Sequence, residues 1–168
     1  MNLIIDSVEI TFHSSLDLKQ TLKPVNNGTL LRMADGTAVK QTPAWGKLKT
    51  EISASGWLPD GLSAVDFNNS VVIDCIASRS ITSAINAIAI PGTVRSDTDP
   101  VGVAFVGHQW VDVGSSFAGG TLTIDVTAGA TLYLARWFPR LTLFCDQEET
   151  ETDRSSANYT WSLSGEEV

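Results

Sequence analysis

Apolar and polar side chains alternate along most of this chain with a period of two residues. The alternation is clearest between Trp45 and Trp57, where one face would carry Leu48, Thr50, Ile52 and Ala54. The residues between them, Lys47, Lys49, Glu51 and Ser53, would occupy the other face. Successive side chains of a β-strand point to opposite sides of a sheet, so this pattern predicts a strand with one buried and one solvent-exposed face.

Turn residues divide the chain into short strands. Asp35-Gly36 predicts a tight hairpin between Thr29–Met33 and Thr37–Gln41, because glycine tolerates the positive φ that such turns need. A second hairpin is expected about Ala128-Gly129-Ala130, between Thr121–Thr127 and Thr131–Phe138. Further strands are expected at Val8–His13, Ser70–Ala77, Ile81–Ile90, Leu141–Cys145 and Val101–Val113, the last interrupted by a bulge at Gly107.

The remaining segments complete an all-β prediction. Ile81–Ile90 is β-branched and uncharged, which is typical of a central strand covered on both faces. Leu62–Phe67 is the one stretch expected to form a helical turn, and residues 114–120 and 146–156 are expected to be loops. About ten short strands with minimal helix predict one antiparallel sandwich or barrel. At 168 residues the chain fits a single domain over residues 1–168, with the acidic loop 146–156 and a final strand at 157–165 included.

Charge is distributed unevenly along the sequence. The net charge is −8, yet the segment from Asp146 to Val168 alone holds seven acidic side chains against one basic. Between Lys19 and Lys49, six basic residues accompany a single acid, Asp35. Net acidity argues against nucleic-acid binding, which needs a surface that neutralises phosphates. Opposite charge on different regions would suit head-to-tail docking between copies, although two ordinary solvated surfaces would have the same composition.

No motif predicts a reaction. His13 and His108 each fall in an expected strand without a ligand at metal-binding spacing, and Cys75 and Cys145 are expected to be reduced side chains in apolar strands. Nucleophile-elbow and phosphate-loop patterns are absent, so we expect no catalytic residue, cofactor or metal. The amino terminus lacks the pattern of a secretory signal, and no apolar run is long enough for a membrane span.

Several segments resemble a small family of tailed-bacteriophage and prophage proteins found among tail genes. They are LLRMADGTAVKQT from Leu30, WGKLKTEISASGW from Trp45, LPDGL from Leu58, WFPR from Trp137 and the final YTWSLSGEEV from Tyr159. The resemblance runs over most of the chain and implies a structural protein of the virion, at the tail tip, baseplate or an associated ring. It is compatible with a tube subunit, a connector or a capsid decoration protein, and it carries no catalytic residue.

The resemblance and the charge pattern together indicate a homo-oligomeric ring that also contacts other tail proteins, made in the host cytoplasm. The candidate subunit contacts are two lysines of the basic region, three residues of the 114–120 segment and four acids of the 146–156 segment. They are Lys47, Lys49, Ser115, Ser116, Phe117, Glu148, Glu149, Glu151 and Asp153. Five tryptophans leave open a carbohydrate- or protein-binding sandwich, which would need at least two aromatic side chains exposed on one face.

Overall fold

The chain folds almost entirely into short antiparallel strands. A computed structural model describes residues 1–25, 29–41, 46–146, 149–153, 155 and 157–168. Within these ranges the strands are β1 (Ile4–Ile5), β2 (Val8–Glu9), β3 (Lys19–Pro24), β4 (Thr29–Arg32), β5 (Ala38–Gln41), β6 (Leu48–Gly56), β7 (Val71–Asp74), β8 (Arg79–Ser83), β9 (Ala87–Ala89), β10 (Val101–Val106), β11 (Gln109–Asp112), β12 (Ser115–Ala118), β13 (Thr121–Ile124), β14 (Ala130–Trp137), β15 (Arg140–Cys145), β16 (Glu149–Asp153) and β17 (Asn158–Glu167). The predicted all-β class is confirmed.

Contacts divide the described chain into two compact units. The insert unit comprises Ile73–Leu141 together with Met1, and the split unit comprises Asn2–Val72 and Thr142–Val168. The chain passes from the split unit to the insert unit within β7 and returns within β15. The single domain over residues 1–168 that the length of the chain indicates stays a prediction.

One large sheet forms most of the split unit. Its strand order is β2-β1-β7-β15-β17-β6-β3, and β16 also pairs with β17. The longest pairing joins β6 to β17, from Gly56 opposite Tyr159 to Lys49 opposite Glu166. The hairpin of β4 and β5 forms a separate two-stranded sheet.

The inner face of this sheet is apolar, as the alternation in β6 predicts. Along β6, residues alternate between buried and more exposed positions, beginning with buried Leu48. On β17, Trp161 and Leu163 are buried beside them. The indole Nε1 of Trp161 donates a hydrogen bond to the carbonyl oxygen of Ser14 at 2.9 Å, and the Ser14 hydroxyl donates to Pro59 at 3.0 Å. These bonds hold the 3-10 turn Phe12–Ser14 against the sheet.

The insert unit is a small sandwich of two sheets. One sheet has the order β11-β10-β14-β8 and the other β12-β13-β9. Their facing side chains form one apolar core, made of Ile88, Ile90, Ala104, Leu122, Ile124, Tyr133, Ala135 and Trp137. The sheets are not closed into a barrel, so of the two predicted architectures the insert unit adopts the sandwich.

The two sheets of the insert unit approach each other closely at Gly102 on β10. A Cβ atom added to Gly102 would lie only 2.4 Å from Cγ1 of Ile124 on β13. Ile124 is itself fully buried, so its side chain has little room to move aside. Glycine at this position therefore sets the spacing of the two sheets.

Four charged side chains connect the start and the end of the insert unit. The Arg140 guanidinium donates two hydrogen bonds of 2.6 Å to the carboxylate of Asp74. Arg95, whose side chain has no exposed surface, donates to the carbonyl oxygens of Asp74 and Cys75 and to the carboxylate of Asp97. Arg95 lowers the pKa of Asp97 through hydrogen bonds and charge, and Asp74 raises the pKa of Arg140. Each buried charge is thus paired, as burial requires.

Two local predictions are confirmed. The Asp35-Gly36 turn connects β4 and β5, and Gly36 has a φ of 83°. The segment Leu62–Ala64 forms a 3-10 turn within the predicted helical stretch.

Three strand predictions are wrong because the chain turns earlier than expected. The predicted strand Val101–Val113 is a hairpin of β10 and β11, with Gly107 and His108 both at positive φ in the turn. The predicted strand Val8–His13 ends at Glu9, and His13 lies in the 3-10 turn that follows. Ile81–Ile90 does not form one covered strand. Its two ends belong to β8 and β9 in different sheets, and Ile85 between them is 67% exposed.

The hairpin expected about Ala128-Gly129-Ala130 is also wrong. A turn occurs there, closed by a hydrogen bond from the Ala130 N–H to the Thr127 carbonyl oxygen. However, β13 pairs with β12 and β9, whereas β14 pairs with β10 and β8. The turn therefore carries the chain from one sheet of the sandwich to the other. Among the described residues, no helix has the length and apolar character needed to cross a membrane.

We expect Gly102→Ala to lower the free energy of unfolding by about 1–3 kcal/mol, because overpacking forces the sheets apart. The matched test is the same substitution in an Ile124→Ala background, where the space for the added methyl already exists. Urea denaturation of the four proteins gives the coupling energy. If Gly102→Ala lowers the free energy of unfolding equally in both backgrounds, the close approach of Gly102 to Ile124 is contradicted.

Candidate functional site

The outer face of the split-unit sheet brings together most of the charged residues singled out from the sequence. Strand register places side chains in rows that run across β16, β17, β6 and β3. One row consists of Glu149, Ser162, Ser53 and Lys19. The next rows are Ser164, Glu51 and Thr21, and then Glu166, Lys49 and Lys23. The rows are polar throughout, and the central strands present serine, threonine, glutamate and Lys49.

The two margins of this face carry opposite charge. β3 is the last strand at one side of the sheet and presents Lys19 and Lys23. β16 lies along the other side of β17 and presents Glu149, Glu151 and Asp153, all exposed. Lysines and carboxylates that are far apart in sequence thus occupy opposite sides of one four-strand surface.

Ion pairs order the basic side of the face. The Lys23 ammonium lies 2.7 Å from Oε2 of Glu51, and the Lys49 ammonium lies 4.0 Å from Oε1 of the same carboxylate. The hydrogen bond and charge of Lys23, assisted by Lys49, lower the pKa of Glu51. All three side chains are about half exposed, so these pairs orient the side chains more than they stabilise the fold.

A shallow groove of about 580 Å³ runs between the two margins. Lys19, Thr21 and Glu51 line it on the basic side, and Asp146, Glu149 and Ser164 line it on the acidic side. On the acidic side, the Ser164 hydroxyl donates a hydrogen bond to the Asp146 carboxylate. The groove is partly open, and its lining combines apolar surface with lysine, carboxylate and hydroxyl groups that can form hydrogen bonds.

The acidic contact residues lie on a strand, so the prediction of a loop at 146–156 is wrong for Glu149–Asp153. Their carboxylates alternate with Thr150 and Thr152, a period-two signal that the high acidity obscured. Glu148 lies outside the described residues. Asp153 also accepts hydrogen bonds from the backbone and hydroxyl of Ser155, which shape the turn after β16.

The two basic contact residues differ in position. Lys49 lies on the outer face of β6, within the rows described above. Lys47 precedes the strand, and its ammonium donates a hydrogen bond to the carbonyl oxygen of Val168. Sequence reasoning missed Lys19 and Lys23 as contact candidates, because their place on a marginal strand depends on the pairing of β3 with β6.

The remaining contact candidates lie in the other unit and also form a strand. Ser115, Ser116 and Phe117 belong to β12, which pairs with β13 around the Gly119-Gly120 turn. Both glycines have positive φ, as a tight hairpin turn requires, so the prediction of a loop at 114–120 is wrong. Phe117 packs against the core of the insert unit, and the two serines are exposed.

Exposed aromatic side chains form a second feature of the split unit. Phe12 is 66% exposed and Trp57 is 61% exposed, and both rings lie next to His13. Backbone hydrogen bonds from Trp57 and Leu58 to the His13 carbonyl oxygen hold the two segments together.

The insert unit has an exposed aromatic side chain of its own. Trp110 packs on Phe105 at a ring separation of 5.0 Å and is 46% exposed.

In the part of the chain that the structure describes, no group of three or more His, Cys, Asp and Glu side chains is placed to hold a metal ion. Cys75 and Cys145 are both reduced, and burial raises the pKa of the Cys145 thiol to about 11. No protein-family model, curated protein or solved structure matches the chain.

We expect Lys23→Met to raise the pKa of Glu51 toward its ordinary value, because the substitution removes the hydrogen bond and the main neighbouring charge. Lys40→Met, on β5, is the control and should leave that pKa unchanged. Carboxyl ¹³C chemical shifts followed from acid to neutral pH would measure it. An unchanged Glu51 pKa in Lys23→Met would contradict the register of β3 against β6.

In a Trp45→Phe background, we expect iodide to quench the fluorescence of Trp57 and Trp110 and to leave Trp137 and Trp161 protected. The first two are exposed, whereas the other two are 2% and 1% exposed. Adding Trp57→Phe or Trp110→Phe should lower the quenchable fraction. If neither substitution changes it, both rings are covered in solution.

Proposed function

We propose that this chain is a structural virion protein of a tailed phage, a tail-tip, baseplate or tail-associated ring subunit that acts by oligomeric assembly and not by catalysis. The observation that carries the proposal is the charge separation across one sheet of the split unit. The lysines of β3 and the carboxylates of β16 lie on opposite sides of the same face. A subunit built in this way presents two surfaces that attract each other in different copies.

The form of the assembly follows from the two surfaces being different. A contact between unlike surfaces is heterologous, and it generates a ring if the rotation between copies closes and a filament if it does not. Tail tips, baseplates and connectors are ring assemblies, and the sequence resemblance supports placing the protein there, in the virion, after synthesis in the host cytoplasm. A capsid decoration protein would use the same kind of contact at another position.

Light scattering over a concentration series is the first test. At low salt we expect a discrete mass that is a multiple of the 18.0 kDa chain, and we expect higher salt to lower it because ions screen exposed charges. A mass of one chain at every concentration and salt would overturn self-assembly as the function. A salt-independent oligomer would support assembly and contradict the charged surfaces as its cause.

One observation favours a second function, that of a carbohydrate-binding module. Phe12 and Trp57 are both exposed in the split unit, and each ring contacts the ring of His13. Flat aromatic rings stack on the apolar faces of sugars. Quenching or a blue shift of Trp57 emission on titration with oligosaccharides, lost in Trp57→Phe, would favour this function over assembly.

A further inference from the structure

We propose that β11 of the insert unit pairs antiparallel with β11 of a second copy of this chain, about a two-fold axis that passes between the two Val111 residues. The sheet β11-β10-β14-β8 then continues through the contact into the same sheet of the other copy. This inference does not depend on the charged margins of the split unit. It goes beyond the proposed function by adding a contact between copies that has a different position and a different symmetry.

β11 is an open strand at the margin of its sheet. It is the last strand in the order β11-β10-β14-β8, and all of its residues, Gln109–Asp112, are exposed. Natural edge strands are commonly protected from pairing by lysine, proline or a bulge. β11 contains no lysine and no proline, and its register with β10 is unbroken. The strand therefore carries none of these three protections against accepting another strand.

The backbone groups that β11 uses toward β10 follow from the turn between the two strands. Gly107 and His108, both at positive φ, form a two-residue turn. The residues on either side of such a turn, Val106 and Gln109, form a hydrogen-bonded pair. Because bonded and non-bonded pairs alternate, Val111 is the next residue of β11 that bonds to β10.

A hydrogen bond at the start of β10 supports this alternation. Gly102 is four residues before Val106, so its N–H points to the same side of β10, where it donates to the Ser115 hydroxyl at 3.2 Å. Trp110 and Asp112 therefore direct their backbone N–H and C=O groups away from β10. In the part of the chain that the structure describes, no second strand pairs with these two residues.

Hydrogen bonding and charge together select one register. Open backbone groups must meet open groups, so in a two-fold pairing Trp110 and Asp112 face either each other or their own counterparts. Asp112 opposite Asp112 would oppose like charges. Trp110 opposite Trp110 would leave Asp112 facing His108 in the turn, outside the strand. Trp110 opposite Asp112 uses the open groups of both residues in both copies, and it is the register that we propose.

The core side of β11 fits this register. Val111 lies opposite Ala104, a fully buried core residue, yet Val111 itself is 42% exposed because nothing follows it in the sheet. On the two-fold axis it meets its own counterpart in a non-hydrogen-bonded pair, the geometry in which opposed side chains lie closest. The contact thus covers an exposed β-branched side chain in each copy.

The outer side of the strand fits as well. Trp110 packs on Phe105, and strand register places Leu132 and Leu134 on the same face. Each Trp110 lies diagonally across the axis from the other, a separation that aromatic side chains can span. Directly opposite each indole is Asp112 of the second copy, whose carboxylate can accept a hydrogen bond from the indole N–H. The apolar outer faces of the two copies thereby become continuous.

These features favour a second copy of this chain over a strand of another protein. A two-fold contact requires a surface that is complementary to itself. β11 meets this requirement, because Val111 faces Val111 and each Asp112 faces an indole and not another charge. A two-fold contact also closes on itself and adds no further copies. Combined with a ring of split-unit contacts, it would join two rings face to face.

Single cysteines test the axis and the register. In Val111→Cys, oxidation should give a disulfide-linked dimer at least about tenfold faster than in Gln109→Cys, because residue 111 faces its own counterpart whereas residue 109 does not. Both positions lie on the same face of the same strand, so Gln109→Cys is the matched control. Cys75 is buried and the high pKa of Cys145 leaves it little thiolate, so the wild type should give only a low background. Equal rates for the two variants, or faster cross-linking of Trp110→Cys, would overturn the register.

Opposite charges at position 111 test the contact without covalent chemistry. V111K and, separately, V111E should weaken dimerisation at least about tenfold, because each brings two like charges together on the axis. Mixing the two variants should restore dimers, since lysine then faces glutamate, and this restoration also shows that both variants are folded. V126K is the control, because Val126 belongs to the same unit and is 80% exposed.

Sedimentation velocity over a concentration series measures the mass of each protein. High salt screens contacts between exposed charges, and there we expect the wild type to have twice the mass of one chain. The variants are compared at the lowest salt at which the wild type is a dimer and nothing larger. A dimer that V111K leaves as strong as V126K does would overturn β11 as the contact.

The two proposals fail in different ways. A wild type that is monomeric at high salt and is not cross-linked through Val111→Cys would overturn the two-fold contact, even if salt-sensitive assembly occurs at low salt. In that case the open strand would be left to a strand of another protein. A dimer cross-linked through residue 111, with nothing larger at low salt, would support the two-fold contact and contradict the ring.

Discussion

The pairing of β6 with β17 is the constraint on which the arrangement of the split unit depends. It joins a strand from the basic part of the sequence to a strand from the acidic part, over eight successive residue pairs. β3 attaches to one side of this pair and β16 to the other, so both margins take their positions from it. Trp161, buried at the centre of β17, also fastens the turn that carries Phe12 and His13. Without this pairing the chain would still contain both charges but would not present them on one surface.

The two units use charge in opposite ways. In the insert unit, Arg95 and Asp74 are buried and their hydrogen bonds are made to neighbours in the same unit. Such a network fixes the ends of the unit, because breaking it would leave an uncompensated charge in the interior. In the split unit, Lys19 and Glu149 are exposed and remain available to interact with a partner. Under the proposed function, stability and recognition would therefore depend on different sets of charged side chains.

Local sequence patterns predicted the local structure well and the long-range structure poorly. Alternation identified β6 and its buried face, and Asp35-Gly36 identified the β4–β5 hairpin. Both signals are complete within a few residues of sequence. Ile81–Ile90 was predicted to be a single buried strand, yet its two ends join different sheets. The sheet that each end joins is determined by its pairing partner, β14 for β8 and β13 for β9, and both partners lie far along the chain. The boundaries of the insert unit fall inside β7 and β15, two strands of ordinary apolar composition, so no change in composition marks them.

The split unit also imposes an order on events during synthesis. β3 leaves the ribosome early, but β16 and β17 follow only after the whole insert unit has been made. Until then β6 has no β17 to pair with, and the nascent chain carries a basic margin without its acidic counterpart. The insert unit, whose contacts are contiguous in sequence, is free to fold in the meantime. Under the proposed assembly function, a nascent chain that still lacks β16 and β17 would offer only one of the two charged margins to another copy.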